Sequence, residues 1–148
     1  MEEPEEIIAL IPHRQPFLWV DKILSFSGDT IVTEKKIPTT LDIFDGHYPG
    51  NPIMPGVLLC EAIFQSGALL IAKQEQQTSC SENPAVPVLT RINGAKFKRS
   101  VLPGDIVQMT VRITESLSSV SFFKGTMKRD GKVAVQVDFA CAITTMKR

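Results

Sequence analysis

Two runs of β-favouring residues near the start of the chain are separated by a short turn-forming segment. The runs FLWVDKILSF and TIVTEKKI are rich in Val, Ile, Phe and Thr, and Ser27-Gly28-Asp29 lies between them. Runs of this composition joined by such a segment are typical of a β-hairpin. We therefore predict two antiparallel strands between Phe17 and Ile37.

The last third of the chain has the alternation of apolar and polar residues that half-buried strands require. It extends over Val107 to Ile113 and again over Val133 to Ile143. Asp130-Gly131 is a tight-turn signal before the last strand. A further strand is predicted from Val86 to Arg99, with a turn or bulge at Asn93-Gly94.

One long helix is predicted between these two β regions. Residues 57–77 contain strong helix formers and are for the most part apolar all round, which is typical of a buried helix. Gly67 is unfavourable in a helix and predicts close packing against a strand. Residues 38–56 contain so many Pro and Gly residues that we predict a long, shaped loop, and residues 77–87 are predicted to be a polar linker.

A helix without a polar face must be covered on several sides. A strongly curved antiparallel sheet of about five or six strands folded around it would do so, which predicts an α+β fold in a single domain over residues 1–148. The edge strands of such a sheet stay open. Edge-to-edge pairing of two subunits would cover one of them, so we expect a homodimer.

Composition excludes several classes of function. The 16 Lys and Arg residues balance the 16 Asp and Glu residues, so no net charge attracts nucleic acid or an anionic membrane. Cys60, Cys80 and Cys141 form no CxxC pair, which argues against a disulfide framework or a zinc knuckle. With only His13 and His47 as imidazoles, we expect no metal site.

A cytoplasmic location is expected from two further features. The opening residues MEEPEE are acidic and lack the apolar core of a signal peptide. The most apolar stretch, Val57 to Ala72, is shorter than a membrane span, and Glu61 and Gln65 interrupt it.

Glu61 and Gln65 are the first candidates for chemistry. They lie one helical turn apart and therefore on one stripe of the predicted helix. Burial among apolar residues would raise the pKa of Glu61 and allow it to donate a proton near neutral pH, while Gln65 would orient it. The alternative is a structural ion pair of Glu61 with Lys96, Lys98 or Arg99.

His47 and Gly56 flank the Pro-rich segment before the helix. A His held in a rigid loop is suited to act as a general base, although a lone loop His is often structural. Gly56 lies at the predicted helix N-terminus, where a free N–H and the helix dipole can polarise a carbonyl oxygen. Base, acid and oxyanion donor together suit proton abstraction next to a carbonyl followed by loss of a hydroxyl.

At these residues the chain resembles the β-hydroxyacyl-[acyl carrier protein] dehydratases of fatty-acid synthesis. The resemblance extends over most of the chain. It rests on the segments IPHRQPF (11–17), Val20-Asp21-Lys22, GHYPGNPIMPGVL (46–58), Glu61-Ala62, Gln65, AKFKR (95–99) and VLPGD (101–105).

This resemblance implies a hot-dog fold with the active site at a dimer interface, where the His of one subunit faces the Glu of the other. His47 would remove the α-proton of a β-hydroxyacyl thioester, and Glu61 would protonate the departing hydroxyl, directly or through a water. Gln65 would hold Glu61, and the N–H of Gly56 would receive the thioester carbonyl. The enzyme class implied is a hydro-lyase.

The resemblance also implies partners. The substrate would arrive on the phosphopantetheine arm of the acyl carrier protein, so no dissociable cofactor is expected, and the family commonly assembles three dimers into a hexamer. The carrier is acidic, and four basic residues are candidates for docking it: Arg91, Lys96, Lys98 and Arg99. A solvated strand edge protected by Lys and Arg is an equally good interpretation of these four.

Some positions depart from the family pattern. Gln15 and Trp19 stand where an aromatic residue and a Leu are common, and Tyr48 replaces a frequent Phe. Phe64 stands where the chain-elongating members usually have Ala. Phe64 and Tyr48 are the candidate residues of the acyl tunnel, and if Phe64 points into it, it would favour short acyl chains.

Three alternative functions stay open. A hot-dog thioesterase would use Glu61 to activate water, but it has little need of His47 in a fixed loop. A non-catalytic acyl-binding or assembly module would keep the tunnel without the acid and base. A dehydratase that also isomerises the double bond mostly carries Asp at the acid position, so Glu61 favours dehydration alone.

Overall fold

The computed structural model describes residues 4–78 and 85–145. The elements in chain order are α1 (Glu5–Ile8), β1 (Lys22–Ser27), β2 (Thr30–Lys36), α2 (Ile43–Gly46), α3 (Gly56–Thr78), β3 (Ala85–Phe97), β4 (Ile106–Leu117), β5 (Val120–Arg129) and β6 (Lys132–Thr145). The predicted combination of one long helix with several strands is confirmed.

All six strands form one antiparallel sheet in the order β1-β2-β4-β5-β6-β3. The two predicted hairpins are present, with Ser27 paired to Thr30 and Arg129 paired to Lys132. Asp130 and Gly131 both have positive φ angles, as a tight hairpin turn with the twist of the strands requires. Strands β1 and β3 form the two edges of the sheet.

The sheet curves around α3, which contacts every strand from β2 to β6. Ile63, Leu69 and Leu70 are fully buried, and burying each such side chain stabilises the fold by roughly 1.5–3 kcal/mol. A Cβ atom on Gly67 would lie 3.0 Å from the Phe139 ring of β6, so the predicted close contact between helix and strand is confirmed. The fold is the expected α+β hot-dog fold.

The connecting segments differ in part from the predictions. The loop at 38–56 contains the single helical turn α2, and α1 was not predicted, because a four-residue helix has no measurable periodicity. Residues 85–87 of the predicted linker belong to β3, and its residues 79–84, Cys80 included, lie outside the described residues. The interruption at Asn93-Gly94 is a bulge, since the register shifts between Ile92 and Gly94.

The edge strand β3 has an apolar side that α3 does not cover. Leu89 and Ile92 pair with Cys141 and Phe139 of β6, so they share the concave face of the sheet with these buried residues. Leu89, Ile92 and Phe97 nevertheless stay 39%, 51% and 53% exposed in one chain. An open edge with an apolar face is suited to pairing with a second copy.

Helix α3 is long and apolar enough to span a membrane by length and composition alone. In the fold, 56% of its most apolar window is buried. The core helix of a soluble protein passes the same test, and packing against five strands accounts for the composition of α3.

Candidate active site

Glu61 lies in the second turn of α3, where its neighbours along the helix are apolar. Its side chain is 22% exposed, and Gln65 Nε2 donates a hydrogen bond of 3.1 Å to Glu61 Oε2. Burial raises the pKa of Glu61, and the hydrogen bond from Gln65 opposes part of that rise. Glu61 is therefore a carboxyl group that holds its proton closer to neutral pH than an exposed one does.

Gln65 connects Glu61 to the segment before β1. It is fully buried, and besides Glu61 its amide nitrogen donates to the Phe17 carbonyl at 2.8 Å. Its amide oxygen accepts a hydrogen bond of 2.7 Å from the backbone N–H of Trp19. Because both ends of the amide are occupied, Gln65 fixes residues 17–19 against the helix.

His13 is a neighbour of Glu61 that the sequence did not predict as a site residue. Its Nε2 atom lies 3.8 Å from Glu61 Oε2. Burial lowers the pKa of His13, and the positive charge of Arg14 lowers it further. The only signal in the sequence was its place within the segment IPHRQPF, which carried part of the family resemblance.

His47 is held by the loop that precedes α3. Its Nδ1 atom lies 2.7 Å from the carbonyl oxygen of Ile53. A carbonyl only accepts hydrogen bonds, so Nδ1 carries a proton, and in the neutral ring the lone pair is then on Nε2. Tyr48 follows with a φ of 56° and meets the His47 ring edge-on, with the two ring centroids 4.8 Å apart.

Gly56 begins α3 beside a cavity. The first backbone N–H groups of α3 that donate a hydrogen bond are those of Leu58 and Leu59, and both donate to the Pro55 carbonyl. The N–H of Gly56 therefore takes no part in the helical hydrogen bonds. A Cβ atom at Gly56 would lie 2.8 Å from the Phe97 ring, and only glycine lets the ring pack this closely. The neighbouring cavity measures about 400 Å³ and is lined by Ile53, Met54, Gly56, Leu59, Phe97, Lys98, Arg99, Ser100 and Val101.

The four basic candidates do not form one compact patch. Lys98 and Arg99 line the cavity beside Gly56, whereas Lys96 lines a separate hollow with Lys124 on the sheet surface. Arg91 lies farther along β3 and pairs with Ala140. All four are exposed, so their assignment as a docking surface stays a prediction.

The alternative of a structural ion pair for Glu61 finds no support in the described residues. No Lys or Arg side chain there lies within ion-pair distance of Glu61. The groups that approach its carboxyl group are Gln65 and His13, and Cys141 of β6 is close enough for electrostatic influence. Burial, with the charge of Glu61 added, raises the pKa of the Cys141 thiol to about 12, so Cys141 stays a neutral thiol.

Phe64 lies one turn after Glu61 and packs against the sheet. Its ring meets Phe139 edge-on with the centroids 4.8 Å apart, and Phe139 stacks on Phe123 at the same centroid distance. Three aromatic rings thus fill the space between α3, β5 and β6 next to Glu61. Whether an acyl tunnel leads to them is a prediction that the single chain does not test.

His47 and Glu61 form no direct hydrogen bond or ion pair within the described part of the chain. In the same part of the chain no group bonds to His47 Nε2, and burial raises the pKa of Glu61. Among the described residues, no group of three or more His, Cys, Asp or Glu side chains is arranged to hold a metal ion.

Solved structures that resemble this chain share its fold. The dehydratase heterocomplex ApeI:P from Xenorhabdus doucetiae matches with a TM-score of 0.79 at 11% identity, covering 97% of this chain and 93% of that one. A hypothetical thioesterase with coenzyme A from Streptococcus pneumoniae matches with a TM-score of 0.66 at 10% identity, covering 99% and 100%. At such low identity these likenesses establish the hot-dog fold alone.

Sequence comparison is more specific. The model of the FabA-like domain family matches residues 11–138. The 3-hydroxyacyl-[acyl-carrier-protein] dehydratase FabZ of Proteus mirabilis is 40% identical over 139 residues, which cover 93% of this chain and 91% of that protein. FabZ of Caulobacter vibrioides strain NA1000 is 39% identical over 139 residues, covering 93% and 86%. The chain therefore belongs to the FabA-like dehydratase family, and the relatives that establish this are FabZ dehydratases.

Proposed function

We propose that this protein removes water from a β-hydroxyacyl thioester carried on acyl carrier protein and releases the trans-2-enoyl thioester. It is thereby a hydro-lyase of fatty-acid or related lipid synthesis. The observation that carries this proposal is the state of two side chains. The Nδ1 atom of His47 bonds to the Ile53 carbonyl, so the neutral ring has its lone pair on Nε2, and Glu61 has a raised pKa, which suits the two to act as base and acid.

The reaction needs both groups in turn. His47 Nε2 accepts the proton from the α-carbon of the substrate, and the electron pair of that C–H bond forms the new double bond. The β-carbon loses its hydroxyl, which takes the proton of Glu61 and leaves as water. A carboxyl group with an ordinary pKa would be ionised near neutral pH and could not donate, so the burial of Glu61 matters to the chemistry.

The thioester carbonyl becomes more negative as the α-proton leaves. The N–H of Gly56 at the N-terminus of α3 is a suitable donor to that oxygen. The cavity beside Gly56 provides room for the end of a phosphopantetheine arm, and Lys98 and Arg99 at its wall suit an acidic carrier protein. The arm arrives with the carrier, and the acid–base chemistry calls for no further cofactor.

The complete site is proposed to form between two subunits in the cytoplasm. His47 of one subunit would face the partner subunit's Glu61, as the family resemblance implies. The open edge of β3 with its exposed apolar residues supports a dimer that is joined there. Three such dimers would make the hexamer that the resemblance also implies.

Thioester hydrolysis is the second candidate function, because hot-dog thioesterases share this fold. In that reaction Glu61 would act as an ionised base on water. Its raised pKa opposes that role, since a carboxyl group that keeps its proton is a poor base. Dehydration is therefore favoured.

An activity assay of the purified protein tests the proposal. The substrates are β-hydroxybutyryl and crotonyl thioesters of both acyl carrier protein and coenzyme A. Absorbance of the conjugated enoyl thioester follows the reaction in both directions, and a thiol reagent detects hydrolysis. We expect interconversion by the wild type and a loss of about 10²–10⁴-fold in kcat for Glu61→Gln. Release of free thiol without interconversion would show that the protein is a thioesterase. Binding of the thioester without either product would show that it is a non-catalytic acyl-binding module.

A further inference from the structure

Two groups approach the same oxygen of Glu61. Gln65 Nε2 donates to Oε2 at 3.1 Å, and His13 Nε2 lies 3.8 Å from that atom. No described residue forms a hydrogen bond with the other oxygen, Oε1. The carboxyl group is therefore approached on one side by nitrogen atoms and left open on the other.

The proton of His13 belongs on Nε2. Its Nδ1 atom is buried and has no hydrogen-bond partner in the described residues. A proton on Nδ1 would leave a buried N–H donor unpaired, whereas a proton on Nε2 faces the carboxyl group. In this tautomer His13 and Gln65 both present N–H groups to Oε2.

The segment that carries His13 is fixed in place. Arg14 donates hydrogen bonds to the carbonyl oxygens of Ile8, Ile11 and His13. Gln65 holds the same segment farther on, at Phe17 and Trp19. His13 is thus anchored on both sides, and its distance from Glu61 is set by the fold rather than by a mobile side chain alone.

We propose that His13 is a positioning residue for Glu61: its Nε2–H group faces Oε2 from 3.8 Å, beside the hydrogen bond from Gln65, so that the transferable proton stays on Oε1, facing the substrate. The inference rests on the proposed function for its catalytic meaning. His13 must stay neutral for this purpose, because an imidazolium ion beside Glu61 would stabilise the carboxylate and remove the acid. Burial and the charge of Arg14 both favour the neutral ring.

The polar and titratable groups around Glu61 come from three parts of the chain. His13, with Arg14 behind it, lies in the segment before β1, Gln65 lies on α3, and the thiol of Cys141 lies on β6. Cys141 keeps its proton, since its pKa is raised to about 12. Of the described neighbours of the carboxyl group, His13 is therefore the one whose charge can change near neutral pH.

Three substitutions test the role. We expect His13→Ala to lower kcat about tenfold with KM changed less than about twofold, since Gln65 alone then orients Glu61. His13→Gln keeps an N–H donor without a titrating charge and should recover most of the lost kcat. Lys22→Ala, an exposed change in the neighbouring strand β1, is the matched control and should leave both constants unaltered.

His13→Lys supplies a readout that does not depend on turnover. A fixed cation beside Glu61 should lower its pKa by about one unit or more, measured by pH titration of the protonated carboxyl band in the infrared. If this band is absent from the spectrum of Glu61→Gln, it belongs to the carboxyl group of Glu61. A wild type without dehydratase activity would refute the proposed function, but a lowered Glu61 pKa in His13→Lys would still support the contact. Unaltered kcat in His13→Ala, equal losses in His13→Ala and His13→Gln, or an unaltered carboxyl titration in His13→Lys would each overturn the positioning role.

Discussion

At the scale of single residues, Lys35 and Glu61 are ionisable groups, one buried and one partly buried, that are stabilised in different ways. Lys35 is 2% exposed, and its ammonium group pairs with Asp21 Oδ1 at 2.9 Å. A close carboxylate partner offsets part of the cost of burying a cation. Glu61 has an amide and an imidazole as neighbours but no cation among the described residues, so its neutral form is favoured. The first arrangement stabilises structure, and the second preserves an acid.

The raised pKa of Glu61 predicts how stability depends on pH. A carboxyl group whose pKa is higher in the folded than in the unfolded protein stabilises the fold while it is protonated. That contribution is present below the unfolded pKa and is lost as the pH rises through the folded pKa. Glu61→Gln should therefore have a higher melting temperature than the wild type at pH 8, and the difference should disappear near pH 4.

Calorimetry at both pH values measures this difference. Asp21→Asn is the matched control, because it removes a carboxylate that pairs with a buried cation and should lower the melting temperature at pH 8. A Glu61→Gln variant that melts below the wild type at pH 8 would contradict the raised pKa. The same result would weaken the assignment of Glu61 as the acid.

At the scale of elements, α3 determines which groups lie next to Glu61. Phe64 and Gln65 follow it by one turn, and Phe64 continues into the aromatic stack with Phe139 and Phe123. If the acyl chain extends from Glu61 along the helix, this stack limits its length. Phe64→Ala should then raise kcat/KM about tenfold for medium-length acyl groups relative to butyryl.

Kinetics with a series of β-hydroxyacyl thioesters measure the chain-length profile. Phe64→Leu retains most of the apolar bulk and serves as the control, with a profile close to that of the wild type. Circular dichroism confirms that both variants are folded. An unaltered chain-length profile in Phe64→Ala would show that Phe64 does not limit the length of the acyl chain.

The elements of the fold were predictable from the sequence to different degrees. The composition of α3 predicted its burial, and the alternation in β4 and β6 predicted the sheet, because both patterns extend over several turns or residue pairs. Gln65 was predicted beside Glu61 because helical spacing fixes that contact. His13 was missed because its approach to Glu61 depends on the path of an irregular segment, which no periodicity encodes.

At the scale of the whole molecule, one chain contains the proposed acid and the proposed base but does not bring them into contact. His47 and Glu61 share no bond within the described residues, and the apolar face of β3 stays open at the sheet edge. Pairing of two β3 edges would extend the sheet and cover Leu89, Ile92 and Phe97 together. The proposed dimer would thus bring His47 and Glu61 together and cover the apolar edge in one step.

Mixed dimers of His47→Ala and Glu61→Gln test this arrangement, because each variant alone should be inactive. In a site shared between subunits, every mixed dimer has one site with both substitutions and one with neither. Random exchange of equal amounts makes about half of the dimers mixed, so about a quarter of the wild-type activity should return. Two affinity tags on the two variants measure the exchange, and the enoyl absorbance measures the activity. Complete exchange without any recovery would mean that His47 and Glu61 act within one subunit, and the interface would have to be reassigned.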